Sequence, residues 1–502
     1  MYIAEKLKLV AKSNPEKCIT SFKGKVTSYG DFYRKAENLA SYFQELGYGK
    51  NDILALYLMN SDSFLIGYYA CQIGGFTVLP INTKLTATET AYILTHSEAR
   101  GIIYDERLAH VMDSLKGKLP ALQDQIVIGQ LPGKFEEIID GNPRSAKIHE
   151  ATDNDTAVVF YTSGTTGRPK GVMLTNRNVS AVAEIWSESM EMTAQDRMHI
   201  VTPLFHCAAS HVFSIPVIFK GGMVIIEEAF SPEATIRTME QKHATIFFGV
   251  PAMYSILLNT PALKEAKLPD MRLFCYGAAP MPYELVKKVK ALFPEVNVQN
   301  LYGQTENSPA ATTLKDHFAI SKIGSVGEPL PQTEVKVVDE FGRQLDVEQV
   351  GEIVVKGPQV MKGYLKNDDE TARSLKDGWM YSGDLGRFDE EGLLYIVDRK
   401  KDMIIRSGEN IYPVEVEEAL YAIPEVLEAA IIGIPHEIYG EVPKAFVVLK
   451  EGKTLTEQAV IDFCKERLAS FKIPAVIEFL DTLPRNASGK VLKMTLREPI
   501  KA

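Results

Sequence analysis

Between Tyr161 and Gly171 the chain reads Tyr-Thr-Ser-Gly-Thr-Thr-Gly-Arg-Pro-Lys-Gly. Gly164, Gly167 and Gly171 let the backbone approach a ligand closely and take positive φ. Thr162, Ser163, Thr165 and Thr166 add hydroxyl donors, and Lys170 adds a point charge suited to a phosphate. Together these residues can wrap a polyphosphate. The spacing is not that of the ordinary phosphate loop of NTPases, because Pro169 precedes Lys170 and Gly171 follows it. The competing reading is a plain surface loop. The apolar run 157–160 directly before the glycines, and the lysine after them, speak against it.

Other stretches carry chemistry at a distance. Tyr302-Gly303-Gln304-Thr305-Glu306 places a carboxylate in a turn after an apolar strand, and Mg²⁺ suits such a site because it takes few protein oxygens besides those of a nucleotide. Gly277, Ala278, Ala279 and Pro280 form a turn of small residues on which a flat base can lie. Asp384, after Tyr381-Ser-Gly, reads as a carboxylate at a strand end, with a turn cap as the plainer alternative. The stretch 205–216 contains His206 and His211 but no Asp, Glu, Lys or Arg.

These stretches need a scaffold. Short apolar runs at 52–58, 76–80, 101–104, 157–161, 223–226, 245–248 and 273–276 alternate with amphipathic stretches such as 61–73 and 87–95. Strands alternating with helices predict a parallel α/β architecture. From about residue 321 the texture changes to short strands (334–338, 351–357, 392–397) joined by Gly and Asp turns, which reads as an antiparallel sheet or small barrel. The charged run 398–402 reads as a linker to a small α+β unit, with helices at 414–421 and 457–470 and strands at 429–432, 444–449 and 476–479. The expected fold class is therefore α/β. A large N-terminal domain (1–398) has a β-rich subdomain at about 321–397, and a small α+β domain covers 399–502.

The 502 residues allow two to four domains. Acidic side chains number 65 against 55 basic, a net charge of −10, which argues against a nucleic-acid protein built on a basic face. Cys18, Cys71, Cys207, Cys275 and Cys464 are scattered, with no metal-ligand spacing, and an odd set of this kind suits a reducing compartment. The opening residues do not read as a signal peptide, so cytoplasmic localisation is expected. No apolar run is long enough to span a membrane. Peripheral membrane contact and a homodimer are left open.

In their order along the chain these motifs resemble the ANL superfamily of adenylate-forming enzymes: acyl-CoA synthetases, peptide-synthetase adenylation domains and luciferases. The resemblance rests on the Tyr161–Gly171 stretch together with Pro203-Leu-Phe-His206, Tyr276-Gly-Ala-Ala-Pro280, Tyr302-Gly-Gln-Thr-Glu306, Tyr381-Ser-Gly-Asp384, Asp398-Arg-Lys-Lys401, Ser407-Gly-Glu-Asn410 and Pro484-Arg-Asn-Ala-Ser-Gly-Lys490. It covers essentially the whole chain. It implies ATP, Mg²⁺ and coenzyme A as partners, with Glu306 and Thr162 at the metal. It assigns Thr305 to the α-phosphate, Tyr302 and Gly303 to the adenine side, and Asp384 and Arg399 to the ribose. Lys401 matches the family's hinge, and lysine there is within family range. Gly408 corresponds to the pantetheine path. Lys490 is implied as the lysine that holds the substrate carboxylate and the α-phosphate, where an ammonium stabilises charge developing between two anions.

The resemblance further implies an AMP-forming acid–thiol ligase. The family lines its acyl pocket at 205–216. Amino-acid-activating relatives carry Asp after the phenylalanine, whereas this chain has His206, which is expected beside the carboxylate or as a gate of the pocket. The absence of Arg argues more weakly against dicarboxylates. Ala208 and Ala209 leave room for an apolar chain or ring. The expected substrate is a fatty acid, with an aryl acid as the alternative. An acyl-AMP ligase loading a carrier protein and a non-catalytic binding homologue are the competing functions. Light-emitting oxidation is a minor further one.

Overall fold

The computed structural model describes residues 1–129, 133–144, 146–147, 151–162, 169–279, 281–400, 402–407, 409–485 and 491–497. Among them the chain forms three sheets. In the first, the strands Thr156–Thr162, Thr77–Pro80, Ile53–Tyr57, Gly101–Asp105 and Asp124–Ile128 run parallel in that spatial order. The strand Lys170–Thr175 turns back antiparallel on Thr156–Thr162, and the short strand Gly363–Tyr364 adds to its edge. Ile53–Tyr57 and Thr77–Pro80 are buried along their whole length, as expected of parallel strands covered on both faces.

The second sheet holds a parallel run in which Asn297–Tyr302, Leu273–Gly277, Ile246–Gly249, Arg197–Ile200, Met223–Ile226 and Cys18–Phe22 are neighbours. The antiparallel strands expected at 334–338, 351–357 and 392–397 are present as Glu334–Val338, Gly351–Lys356 and Leu394–Arg399, and Ser325–Pro329 and Trp379–Phe388 add to them. They are continuous with the parallel run through Thr312–Leu314, so the β-rich part extends the large sheet. The third sheet carries Glu409–Ile411, Ile404–Arg406, Gly440–Leu449, Val426–His436 and Val476–Phe479.

Helices cover the sheets because their ends are locally specified and one face is apolar. Tyr29–Glu45 starts at Ser28, whose hydroxyl accepts the Asp31 N–H, and it buries Phe32, Ala36, Leu39 and Phe43. Asp62–Gly74 starts at Ser61 and stops at Gly75, which takes φ 77°. The residues after Cys207 do not continue as an α-helix. Ala208–Ser214 is a π-helical segment, and the Ser214 hydroxyl donates to the Ala209 carbonyl at 2.7 Å. Such segments are rare and concentrate at functional sites.

Two expectations need correction. Asp384 does not end a strand. It lies within Trp379–Phe388, next to a register irregularity between Leu385 and Gly386. The charged run 398–402 is not a solvated linker throughout, because Asp398 and Arg399 close the strand Leu394–Arg399 and Asp398 is only 3% exposed. This carboxylate has partners inside the fold. One oxygen accepts the Val414 N–H at 3.0 Å, in the first turn of the helix Pro413–Tyr421, and the other accepts the Arg399 N–H at 2.6 Å.

Burial pushes the Asp398 carboxyl up from its ordinary 3.8 to about 6, against the attraction of Lys493 and the two N–H donors and with a smaller push from Glu417. At 1.36 kcal/mol per pH unit the ionised form carries a penalty of roughly 3 kcal/mol. Because the folded pKa is raised, that penalty is smallest in acid and grows as pH rises through the window from about 4 to about 6. Asp398→Asn abolishes the titration at a fixed cost in hydrogen bonding. Its stability relative to the native chain is therefore expected to improve by about 2 kcal/mol between pH 4.5 and pH 7.5. Denaturant unfolding at the two pH values checks this, and a pH-independent difference contradicts it.

Candidate active site

Ligands of open α/β sheets bind beyond the carboxyl ends of the parallel strands. Three of the candidate residues fall there. Thr162 ends Thr156–Thr162, Gly277 ends Leu273–Gly277, and Tyr302 ends Asn297–Tyr302. Thr162 and Lys170 are cross-strand partners in the antiparallel pair flanking 163–169. Two of the glycines are sterically required at these strand ends. A Cβ at Gly277 would lie 2.5 Å from the Leu301 carbonyl oxygen, and one at Gly303 would lie 2.3 Å from the Pro309 backbone. Ala278 holds φ 66°, an uncommon conformation for a residue with a side chain, and it is exposed with Ala279 beside it. Ser163, Gly164, Thr165, Thr166, Gly167, Pro280, Lys401, Gly408 and Lys490 lie outside the described residues.

The segment Tyr302–Glu306 divides its side chains between two clusters. The first surrounds Asp384, which is 4% exposed. Its Oδ2 accepts the Tyr302 hydroxyl at 2.8 Å and the Gln304 amide N–H at 2.7 Å. Its Oδ1 forms an ion pair with Arg399 Nε at 2.9 Å that lacks hydrogen-bond alignment, and among the described residues Oδ1 is a buried acceptor without a hydrogen-bond donor. A buried, unsatisfied carboxylate oxygen is costly unless a ligand completes it, and a sugar hydroxyl has the matching chemistry. Burial works against the Arg399 charge, but Asp384 foremost, with Tyr302, Asp402 and Glu306, raises its pKa and keeps it cationic. Burial, Asp384 and the hydrogen bond hold the Tyr302 phenol well above its ordinary pKa, so it remains a donor. The Tyr302 side chain belongs to an apolar cluster with Ala311, Val326, Val337 and Ile353.

The second cluster surrounds Glu306. Tyr364 donates its hydroxyl to Glu306 Oε1 at 2.9 Å, and the Lys170 ammonium lies 5.4 Å from the centre of the Tyr364 ring. Lys170 also pairs with Glu370, at the start of the helix Asp368–Ser374. A cavity of about 190 Å³ opens beside Lys170, lined by Tyr92, His96, Pro169, Tyr364, Leu365 and Asn367. Thr305 Oγ1 lies 3.2 Å from Cys207 Sγ, which brings the π-helical segment against this cluster. Burial pushes the Cys207 thiol up to about 12, so it acts as a neutral partner of the hydroxyl.

Sequence reasoning assigned no roles to Tyr364, Gln304, Glu370 or Cys207. The one local signal for Tyr364 is a lone aromatic in the polar stretch 362–369. His206 and His211 prove to be different kinds of histidine. His211 is fully buried, its Nε2 is 2.8 Å from the Tyr68 hydroxyl, and burial lowers its pKa to about 3, which marks it as a neutral core residue. His206 is half-buried beside Phe205, its pKa is lowered by burial, and its ring has no hydrogen bond among the described residues. The arrangement can do one thing plainly. A cation, a hydroxyl and a carboxylate stand together at one end of a five-residue segment, and a buried acceptor for a polyol stands at the other.

Residues 7–365 match the AMP-binding enzyme family, and residues 415–490 match the AMP-binding enzyme C-terminal domain. The chain belongs to the AMP-binding enzymes. This AMP-binding enzyme is 35% identical to a feruloyl-CoA synthase from Amycolatopsis sp over 488 residues, 97% of this chain and 96% of the relative. It is 33% identical to a long-chain-fatty-acid–CoA ligase from Mycobacterium tuberculosis over 486 residues, 95% of this chain and 93% of the relative. The solved o-succinylbenzoate coenzyme A synthetase from Bacillus subtilis, in complex with ATP and magnesium ion, superposes with a TM-score of 0.87 at 31% identity, covering 98% of this chain and 99% of that one. The enzyme is thus a member of the adenylate-forming superfamily, in its acyl-CoA synthetase branch, with a large N-terminal and a small C-terminal domain. Among the described residues no helix is long and apolar enough to cross a membrane.

Proposed function

We propose that this AMP-binding enzyme activates a fatty acid with ATP to acyl-AMP and pyrophosphate, and then transfers the acyl group to coenzyme A with release of AMP. The observation that carries this reading is the division of Tyr302–Glu306 between a buried Asp384 with an open oxygen and a Lys170–Tyr364–Glu306 cluster. That spacing suits a nucleoside on one side and its phosphates on the other. Asp384 would hold the ribose hydroxyls with Arg399 beside it, and Gly277, Ala278 and Ala279 would carry the base. Thr305 and Lys490 would meet the α-phosphate.

The donor set fits Mg²⁺. Glu306 has one oxygen bound by Tyr364, and one carboxylate with a hydroxyl such as Thr162 is a typical share for a cation otherwise bound by phosphates and water. When bound, the ion would neutralise charge on the phosphates. Tyr364 fixes the carboxylate, and Cys207 orients the Thr305 hydroxyl. His206, neutral and half-buried at the start of the stretch 207–216, would stand beside the incoming carboxylate or gate the pocket. The feruloyl-CoA synthase relative supports an aryl acid as the second reading.

The two half-reactions would share one site through movement of the small domain about residues 399–401, with the domain boundary at 398/399. Gly408→Trp is expected to spare pyrophosphate exchange and to block thioester formation from acyl-AMP, because a large side chain would fill the pantetheine path. Collapse of exchange in that variant counts against the path. The reading as a whole is tested by AMP release with a panel of fatty and aryl acids. Release with none of them, at any CoA concentration, overturns it.

A further inference from the structure

The C-terminal helix Lys493–Arg497 has five residues and cannot sustain itself as an isolated helix. Three contacts hold it. Leu496, with Val491 just before the helix, packs on the sheet residues Ala430, Ile432, Phe446 and Val448. Lys493 Nζ lies 2.7 Å from Glu417 Oε1, and that same oxygen accepts the Ile431 N–H at 2.8 Å, which ties the helix to Pro413–Tyr421 and to the sheet. Arg497 Nη2 lies 3.0 Å from Asp402 Oδ1. Asp402 is 9% exposed, and its backbone N–H donates to the Arg399 carbonyl at 2.9 Å, directly after the last strand of the large sheet. The chain entering this helix is also fixed. Val491 bridges Arg485, the Leu492 N–H donates to the Pro484 carbonyl at 2.8 Å, and Arg485 pairs with Glu428.

We infer that the Arg497–Asp402 pair, backed by Lys493–Glu417, is a strut that ties the chain segment following Lys490 to the segment on which the small domain turns. These are positioning residues for the adenylation half-reaction. The inference rests on the proposed role of Lys490. Its physical basis is lever geometry. Lys490 adjoins Val491, and a lysine that must meet two anions loses its effect when displaced by about 1 Å. A sheltered charge-assisted pair holds Val491 and the residues after it better than the short helix alone, because removing one partner leaves the other charge unsatisfied.

The test uses the full chain. In Arg497→Ala, ATP–pyrophosphate exchange is expected to fall about tenfold or more in kcat with KM for ATP unchanged. Thioester formation from preformed acyl-AMP and CoA should stay at the native rate. Asp402→Ala should behave alike, and the exchanged pair Asp402→Arg with Arg497→Asp should recover most of the exchange activity. Equal loss of both half-reactions, no loss in either, or failure of the exchanged pair to recover overturns the strut. A native enzyme that makes thioester from acyl-AMP but shows pyrophosphate exchange independent of Lys490 overturns the underlying reading instead, and the strut with it.

Discussion

Lys490→Ala is expected to lower ATP–pyrophosphate exchange by roughly 10²–10³-fold, the usual consequence of removing one preorganised group that stabilises developing charge. Thioester formation from supplied acyl-AMP should continue at close to the native rate. The two halves differ in what they ask of a cation. In the first, a carboxylate approaches a phosphate, so like charges must be brought together on a chain whose net charge is −10. In the second, a thiol attacks a mixed anhydride that is already activated, and AMP departs. Lys170 is already engaged by Glu370 and lies over the Tyr364 ring, so it is not free to take over this role. Separate assays of the two halves check the split, and equal loss in both would remove the proposed role.

The second large effect is at Asp384. Asp384→Asn keeps the shape of the side chain but turns one acceptor into a donor. With Tyr302 and Gln304 both donating to one oxygen, the new amide nitrogen would face Arg399, donor against cation, and the open acceptor on Oδ1 would be gone. Losing hydrogen bonds to a charged group costs about 1.5–3 kcal/mol, which raises KM for ATP by roughly ten- to a hundredfold. KM for the acid should barely move. A variant that raises both alike would point to general disorder of the site.

Much of this was legible in the sequence. The strands 223–226, 334–338 and 476–479 were bounded as found, because short β-branched runs between turn residues leave little choice. Glycines, hydroxyls and a lysine at fixed spacing carry local meaning in the sequence, and the strands flanking them pair Thr162 with Lys170. What escaped was long-range or contradicted a local rule. Tyr364 reaches Glu306 across 58 positions, Lys170 reaches Glu370 across 200, and Cys207 reaches Thr305 across 98. A tyrosine or cysteine at such a separation reads only as core. Asp398 escaped because a run of charges normally marks a solvated link, and nothing local announces the Val414 N–H that it caps. The π-helical turn at 208–214 likewise has no periodicity that separates it from an ordinary helix over so few residues.

In the proposed reaction one site joins an acid to a thiol through AMP. The most direct measurement is AMP release by the purified chain with Mg-ATP and a series of acids, fatty from short to long and aryl, with and without CoA. Sustained AMP release is expected to require both an acid and CoA and to be greatest for an apolar fatty chain, with a single enzyme-bound equivalent of acyl-AMP when CoA is omitted. Sustained turnover without CoA, or no acyl-AMP with any acid, would contradict it.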